Sequence, residues 1–183
     1  MSKIYLIGGK AQNGKDTLAG FMKHEFERAG KKVLILHFAD YLKYICKNYF
    51  GWDGTKSDEG RYILQHVGTG LIRAKKPDFW ITAVRDLLEV LGEEYDYYLI
   101  PDTRFKNELS LNVSGMETSS IRVKRLDFVS PLTAEQQSHQ SETDLDYSYF
   151  NIRVYAGNLI ELLTAANNIV DIDLTGTRRE WND

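Results

Sequence analysis

Two glycines, a lysine and two oxygen-bearing side chains offer the first chemistry in this chain. They lie in "GGKAQNGKDTLA", residues 8 to 19. Gly9, Gly14 and Lys15 keep the spacing of a phosphate-binding loop, in which a glycine is followed by four residues and then Gly-Lys. Asp16 stands where that pattern has a hydroxyl, and Thr17 comes one place later. The glycines let the backbone curl, so that N–H groups between Gly9 and Gly14, including those of Ala11 and Asn13, converge on an anion. Lys15 adds a point charge for the outer phosphates of a nucleotide. Asp16 has two readings. It is a magnesium ligand, direct or through water, or a first-turn acid favoured by the helix dipole. Thr17 is within reach of a further phosphate oxygen.

A second set of residues concerns an acceptor. "YYLIPDTRFKNE" puts Asp102 just past a strand, where α/β proteins collect ligands, with Arg104 two residues on. The acid there orders a magnesium-bound water and the arginine clamps a phosphate, or the pair is an ordinary turn after a proline. "GRYILQHVGTGLIRAKKPDFW" supplies Arg61, Gln65, Arg73 and Trp80. On a helix Arg61 and Gln65 share a face, which suits a monophosphate and a base edge; the alternative is a solvated face beside a core tryptophan. Asp40 in "FADYLK" is either a substrate-contacting base or a helix N-cap. Arg122, Lys124 and Arg125 precede a polar segment and could close over transferring phosphates. Strand alternation predicts Arg125 on the face opposite the other two, and a charge-protected edge strand is the competing reading.

The elements that must position these residues follow from pattern. "KIYLIGG", "KKVLILHF", "YDYYLIP", "IRVKRLDFV" and "YFNIRVYAG" read as strands, the third stopped by Pro101. Helices are predicted from Lys15 to Gly30, from an N-cap at Asp40 to Phe50, over 61–76 in its first half, over 78–92 and over 158–168. Gly68 and Gly70 weaken the second half of 61–76. Residues 130–146 read as polar and mobile, and "LTGTRREWND" as a loose tail. Strands alternating with helices imply an α/β fold on a parallel sheet of five strands, as one domain over 1–183.

Bulk properties exclude several classes. The chain has 183 residues, 43% hydrophobic and 27% charged, with a formal net charge of −3. That charge and the lack of an aromatic-basic motif argue against a nucleic-acid partner. One cysteine, Cys46, precludes an internal disulfide and reads as a core residue. No run approaches the ~20 apolar residues of a membrane helix, and "SKIYLIGG" does not read as a signal peptide. The expectation is a soluble cytoplasmic protein.

Together "GGKAQNGKDTLA", "HFADYLK", "RYILQHVGTGLIR…DFW", "IPDTRFKNE", "IRVKR" and "HQSETDLD" resemble the deoxynucleoside monophosphate kinases of tailed bacteriophages, within the P-loop kinases. The resemblance spans about residues 3–165. It implies a three-layer P-loop kinase fold and transfer of the ATP γ-phosphate to a deoxynucleoside monophosphate with Mg²⁺. It further implies that Gly9, Ala11, Asn13, Gly14, Lys15, Asp16 and Thr17 serve ATP, with Asn158 near the adenine. Asp40, Arg61, Gln65, Arg73, Trp80, Arg104 and Glu108 would contact the acceptor, in a region of about 51–80 and beyond. Lys15, Asp40, Arg104 and Arg125 would act in catalysis, Asp16 and Asp102 at the metal, and a lid would run over about 122–141. Another small phosphorylated acceptor, such as a ribonucleotide, and a non-catalytic nucleotide-binding module remain as alternatives. A homodimer is compatible with the sequence. No Asn-Lys-x-Asp guanine-reading segment is present, which argues against a switch GTPase.

Overall fold

A computed structural model describes residues 1–55 and 57–176. Its centre is β1 (Lys3–Gly8), whose side chains divide by parity. Tyr5 and Ile7 enter one core, Ile4 and Leu6 the other. That division is the period-2 geometry of a strand covered on both faces. The first core is closed by α1 (Lys15–Arg28) and α7 (Leu159–Thr175), the second by α4 (Phe79–Leu91). α1 buries Leu18, Ala19, Met22 and Phe26, an i, i+4 stripe against the sheet.

The sheet is parallel throughout, in the order β2–β3–β1–β4–β5. β2 is Val33–Ile35, β3 Tyr97–Thr103, β4 Glu117–Arg125 and β5 Ile152–Ala156. With helices on both faces, this is the three-layer α/β P-loop kinase fold. β1 faces Thr103 and Arg122 at Gly8. The carboxyl ends of the three central strands therefore meet at one edge, beside the glycine loop.

Several boundaries differ from those the sequence predicts. β3 runs through Pro101 to Thr103. The register with β1 shifts there, from Leu6↔Ile100 to Gly8↔Thr103, and a missing N–H is tolerated at such an irregularity. β4 starts at Glu117 and ends at Arg125, four residues earlier at each end, because polar "ETSS" pairs with the start of β1. The first residues of the expected lid thus belong to the sheet. α2 (Ala39–Tyr49) is not capped by Asp40; Asp102 reaches across and accepts from Phe38 N and Ala39 N, both at 2.9 Å. α3 (Asp58–Gln65) starts at a Ser57 cap and continues as a π-helix, His66–Arg73. Gly68 fits that continuation because a Cβ there would lie 2.7 Å from Leu42.

Between β4 and β5 the polar segment holds two short helices, α5 (Ala134–Ser138) and α6 (Gln140–Thr143). Thr133 with Gln136 forms a capping box, and His139 caps α6. α7 passes the expected residue 168 because Asp173 is tied to β1: Tyr5 Oη donates to it at 2.7 Å and Lys3 pairs with it. Leu174 and Thr175 are therefore helical, while residues 177–183 of the expected tail lie outside the described residues. Cys46 is buried, with Trp52 and Val67, and burial pushes its thiol up. Among the described residues no helix is long and apolar enough to cross a membrane.

Candidate active site

The loop between β1 and α1 lies at the carboxyl edge of the sheet. Gly14 heads α1 at φ 91°, a conformation that favours glycine. Gly9 has φ 156°, and a Cβ there would sit 2.5 Å from Val123 O on the neighbouring strand. Gly9→Ala must therefore push the loop off β4. We expect a folded protein whose nucleotide affinity falls by at least about tenfold, at a strain of roughly 1–3 kcal/mol. Calorimetry with ATP checks this; unchanged affinity would show that the loop tolerates the displacement.

Lys15 is 4% exposed, and its Nζ donates to Lys10 O at 2.8 Å. Burial, with the Arg104 charge adding to it, lowers its pKa to about 7. Asp16 projects outward from the first turn, with Oδ1 3.1 Å from His37 Nε2. That bond holds His37 above the ordinary imidazole value and Asp16 below the usual carboxylate range. Thr17 is exposed on the same turn.

The loop stands between two clefts. The first, of about 360 Å³, brings together Lys15, Asp16, Arg61, Gln65, Arg73, Trp80, Asp102, Arg104 and Glu108. These come from α1, α3, the π-helix, α4, the end of β3 and the turn after it. The second, of about 500 Å³, is lined by Asn13, Arg122, Lys124, Arg125, Phe128, Arg153 and Tyr155. Ala11 borders both. Arg122, Lys124 and Arg125 all line the second cleft despite their alternation, because it opens off the end of β4. Arg125 lies over the Phe128 ring at 4.7 Å, and its N–H donates to Asn13 Oδ1.

Some residues marked for ligands hold the protein's own groups. Glu108 is buried and accepts from Arg104 N, Phe105 N and the Arg73 guanidinium. Trp80 is buried and donates to Gly68 O at 3.3 Å. Asp102 caps α2. Asn158 caps α7, accepting from Glu161 N at 3.0 Å, and lines neither cleft. Asp40 is exposed, paired with Lys43 at 3.0 Å and accepting from His37 N.

Two residues of the site escape the sequence reading. His37 lines the first cleft between Asp16 and Asp40. Glu142, on α6, borders both clefts. The histidine follows a short strand whose end the pattern overextends. The glutamate lies in a segment without periodicity. "HQSE" offers a cap and an acid, but nothing in it points across 130 residues to the loop.

A glycine-lysine loop at the β1–α1 junction of a parallel 2-3-1-4-5 sheet defines the class: an α/β fold with a P-loop. Solved structures share it. The Mycobacterium tuberculosis APS kinase CysC, in complex with AMPPNP and APS, superposes at a TM-score of 0.51 and 11% identity, covering 95% of this chain and 98% of that one. Cobyrinic acid a,c-diamide synthase from Mycobacterium smegmatis, with a bound ATP analogue and magnesium, gives 0.52 and 11%, over 100% of both chains. No family model and no curated protein matches the sequence.

Proposed function

We propose that the protein is a deoxynucleoside monophosphate kinase, transferring the ATP γ-phosphate to a dNMP to give dNDP and ADP. The observation that carries this reading is the placement of the loop between two clefts. One is cationic and opens off β4. The other combines arginines with Gln65 and an aromatic wall. A transfer between two nucleotides needs a donor side and an acceptor side joined at the phosphates. ATP lies on residues 9–17, its distal part toward Arg125. The acceptor enters the first cleft, its phosphate met by Arg104 and Arg61 and its base by Gln65.

Phosphoryl transfer is mostly positioning and charge stabilisation. Lys15 and Arg104, which line the same cleft, supply positive charge to the transferring group. Arg73 is stacked over the Phe105 ring at 3.8 Å and held by Glu108, so it is oriented before substrate arrives. Asp16 fits a magnesium ion through its chemistry: an exposed carboxylate at the head of α1, next to the loop. Among the described residues no group of three or more His, Cys, Asp or Glu could hold a metal alone, so phosphate and water would complete its shell. The ion would neutralise charge between the outer phosphates. A deoxynucleotide phosphate is already nucleophilic at neutral pH, so no dedicated base is required and Asp40 serves to hold His37.

The test is ADP release with Mg-ATP against each common dNMP and NMP and a no-acceptor control. We expect acceptor-dependent release, greatest with one or more dNMPs. Strict preference for NMPs would move the reading to a ribonucleotide kinase. Acceptor-independent release, or none despite ATP binding, would move it to an ATPase or a binding module.

A further inference from the structure

Glu142, on α6, bonds to the phosphate loop from outside it. Its Oε2 accepts from Ala11 N at 2.8 Å, and its Oε1 pairs with the Arg104 guanidinium. Arg104 also donates to Ser141 O at 3.4 Å. The side chain is 8% exposed. The Glu142 charge acts on buried Lys15 as well, favouring its protonated form. A backbone N–H of the loop, an arginine and a lysine are the donors a phosphate group would take. A carboxylate offers them the same thing: negative charge on two oxygens.

We propose that Glu142 is an internal stand-in for a phosphate, fastening α6 over the loop and competing with the phosphates of an incoming nucleotide. This inference rests on the nucleotide reading of the loop. Its mechanics follow from how the segment is held. Downstream, Leu145 and Phe150 are buried and pack over Gly8, which anchors the chain there. Upstream, α6 has four residues and is capped by its own His139. A swing of residues 139–142 about the Leu145 anchor frees Ala11 N and Arg104 and leaves both sheet cores intact. The two clefts then join across the position Glu142 leaves. Binding is weakened by the fraction of molecules in the fastened state, and the same contact shields the loop from adventitious anions.

The experiment is calorimetric titration of inorganic tripolyphosphate into wild type, Glu142→Gln and Glu142→Ala, with hydrogen exchange on wild type. Both variants should bind at least about tenfold tighter, because the competing charge is gone. In wild type, tripolyphosphate should raise exchange over residues 139–144. Equal or weaker binding by folded variants, or slower exchange over that segment, would overturn the latch. If a variant fails to fold, the wild-type exchange result decides alone. If tripolyphosphate binds to none of the proteins, the phosphate-loop reading falls and the latch with it.

Discussion

Lys15→Met is expected to abolish turnover and to make the empty protein more stable. The two effects share one cause. Lys15 sits almost wholly out of water, with a single carbonyl partner at 2.8 Å, and burial brings its pKa from 10.5 to about 7. In the unfolded chain the same amine is charged up to about pH 10. Between about pH 7 and 10 the unfolded state therefore binds more protons, and this residue's share of stability rises with pH. Below about 7 its full cost is present. Each tenfold bias in protonation is about 1.4 kcal/mol, so the charge costs several kcal/mol at neutral pH. Methionine keeps the packing volume and removes the charge, while leaving Lys10 O short of a donor at about 1 kcal/mol. A net gain of about 2 kcal/mol raises the melting temperature by roughly 4–8 °C for a chain of this size. The stability difference between the proteins should shrink as pH rises from 7 to 10. Turnover should fall by about 10²–10³, the loss typical of a preorganised charge aimed at a transition state. Thermal melts across that range and the coupled assay check both. A variant less stable than wild type throughout, or one that keeps its turnover, would show that Lys15 is not a strained, functional amine.

The parts legible in the sequence are those where one periodicity governs. β1 is apolar on both faces, α1 repeats Leu18, Met22 and Phe26, and the glycines between them have no other use at that junction. The first cleft was also legible in its contents, since Arg61, Gln65, Arg73 and Arg104 come together from two distant stretches. What was hidden depended on partners remote in sequence. The start of β4 is polar because it answers β1, and no local pattern marks it. Pro101 stays in its strand because the register slips opposite it. The π-helix packs Gly68 closely under Leu42, a residue remote in sequence, and no local pattern marks it. Asp102 and Asp40 look alike as acids at strand ends, and only the fold assigns the cap of α2 to the more distant one. Asn158 and Glu108 show the opposite error. Their residue types suit a ligand, but the chain's own N–H groups and Arg73 take their oxygens.

Glu108 carries the second large effect. Its carboxylate is 2% exposed and accepts three bonds: Arg104 N at 2.6 Å, Phe105 N at 3.0 Å and Arg73 Nη2 at 2.7 Å. It thereby fixes the turn that presents Arg104 and the guanidinium that faces the first cleft. Glu108→Ala leaves two backbone donors and the Arg73 Nη2 without their acceptor, while Arg73 Nη1 keeps Pro77 O and Asn107 Oδ1. The cost is about 3 kcal/mol, as for breaking one side of a buried pair, or roughly 6–12 °C in melting temperature. Its pH dependence has a definite sign. Burial pushes the carboxyl up from 4.5 to about 7, against the pull of its donors. The folded state thus binds the extra proton between those values, so the stabilisation Glu108 provides is fully present below about pH 4.5 and shrinks as pH rises through 7. The gap between wild type and variant should narrow over that window. In the kinase assay the KM for the acceptor should rise by at least about tenfold while that for ATP changes little, since positioning is lost on one side only. Glu108→Gln separates charge from shape. Its amide can accept the backbone bonds but turns an NH₂ toward Arg73, so it should recover part of the stability and little of the acceptor affinity. Equal rises in both KM values would mean that Glu108 supports the whole loop, and the assignment of Arg73 and Arg104 to the acceptor would have to be withdrawn.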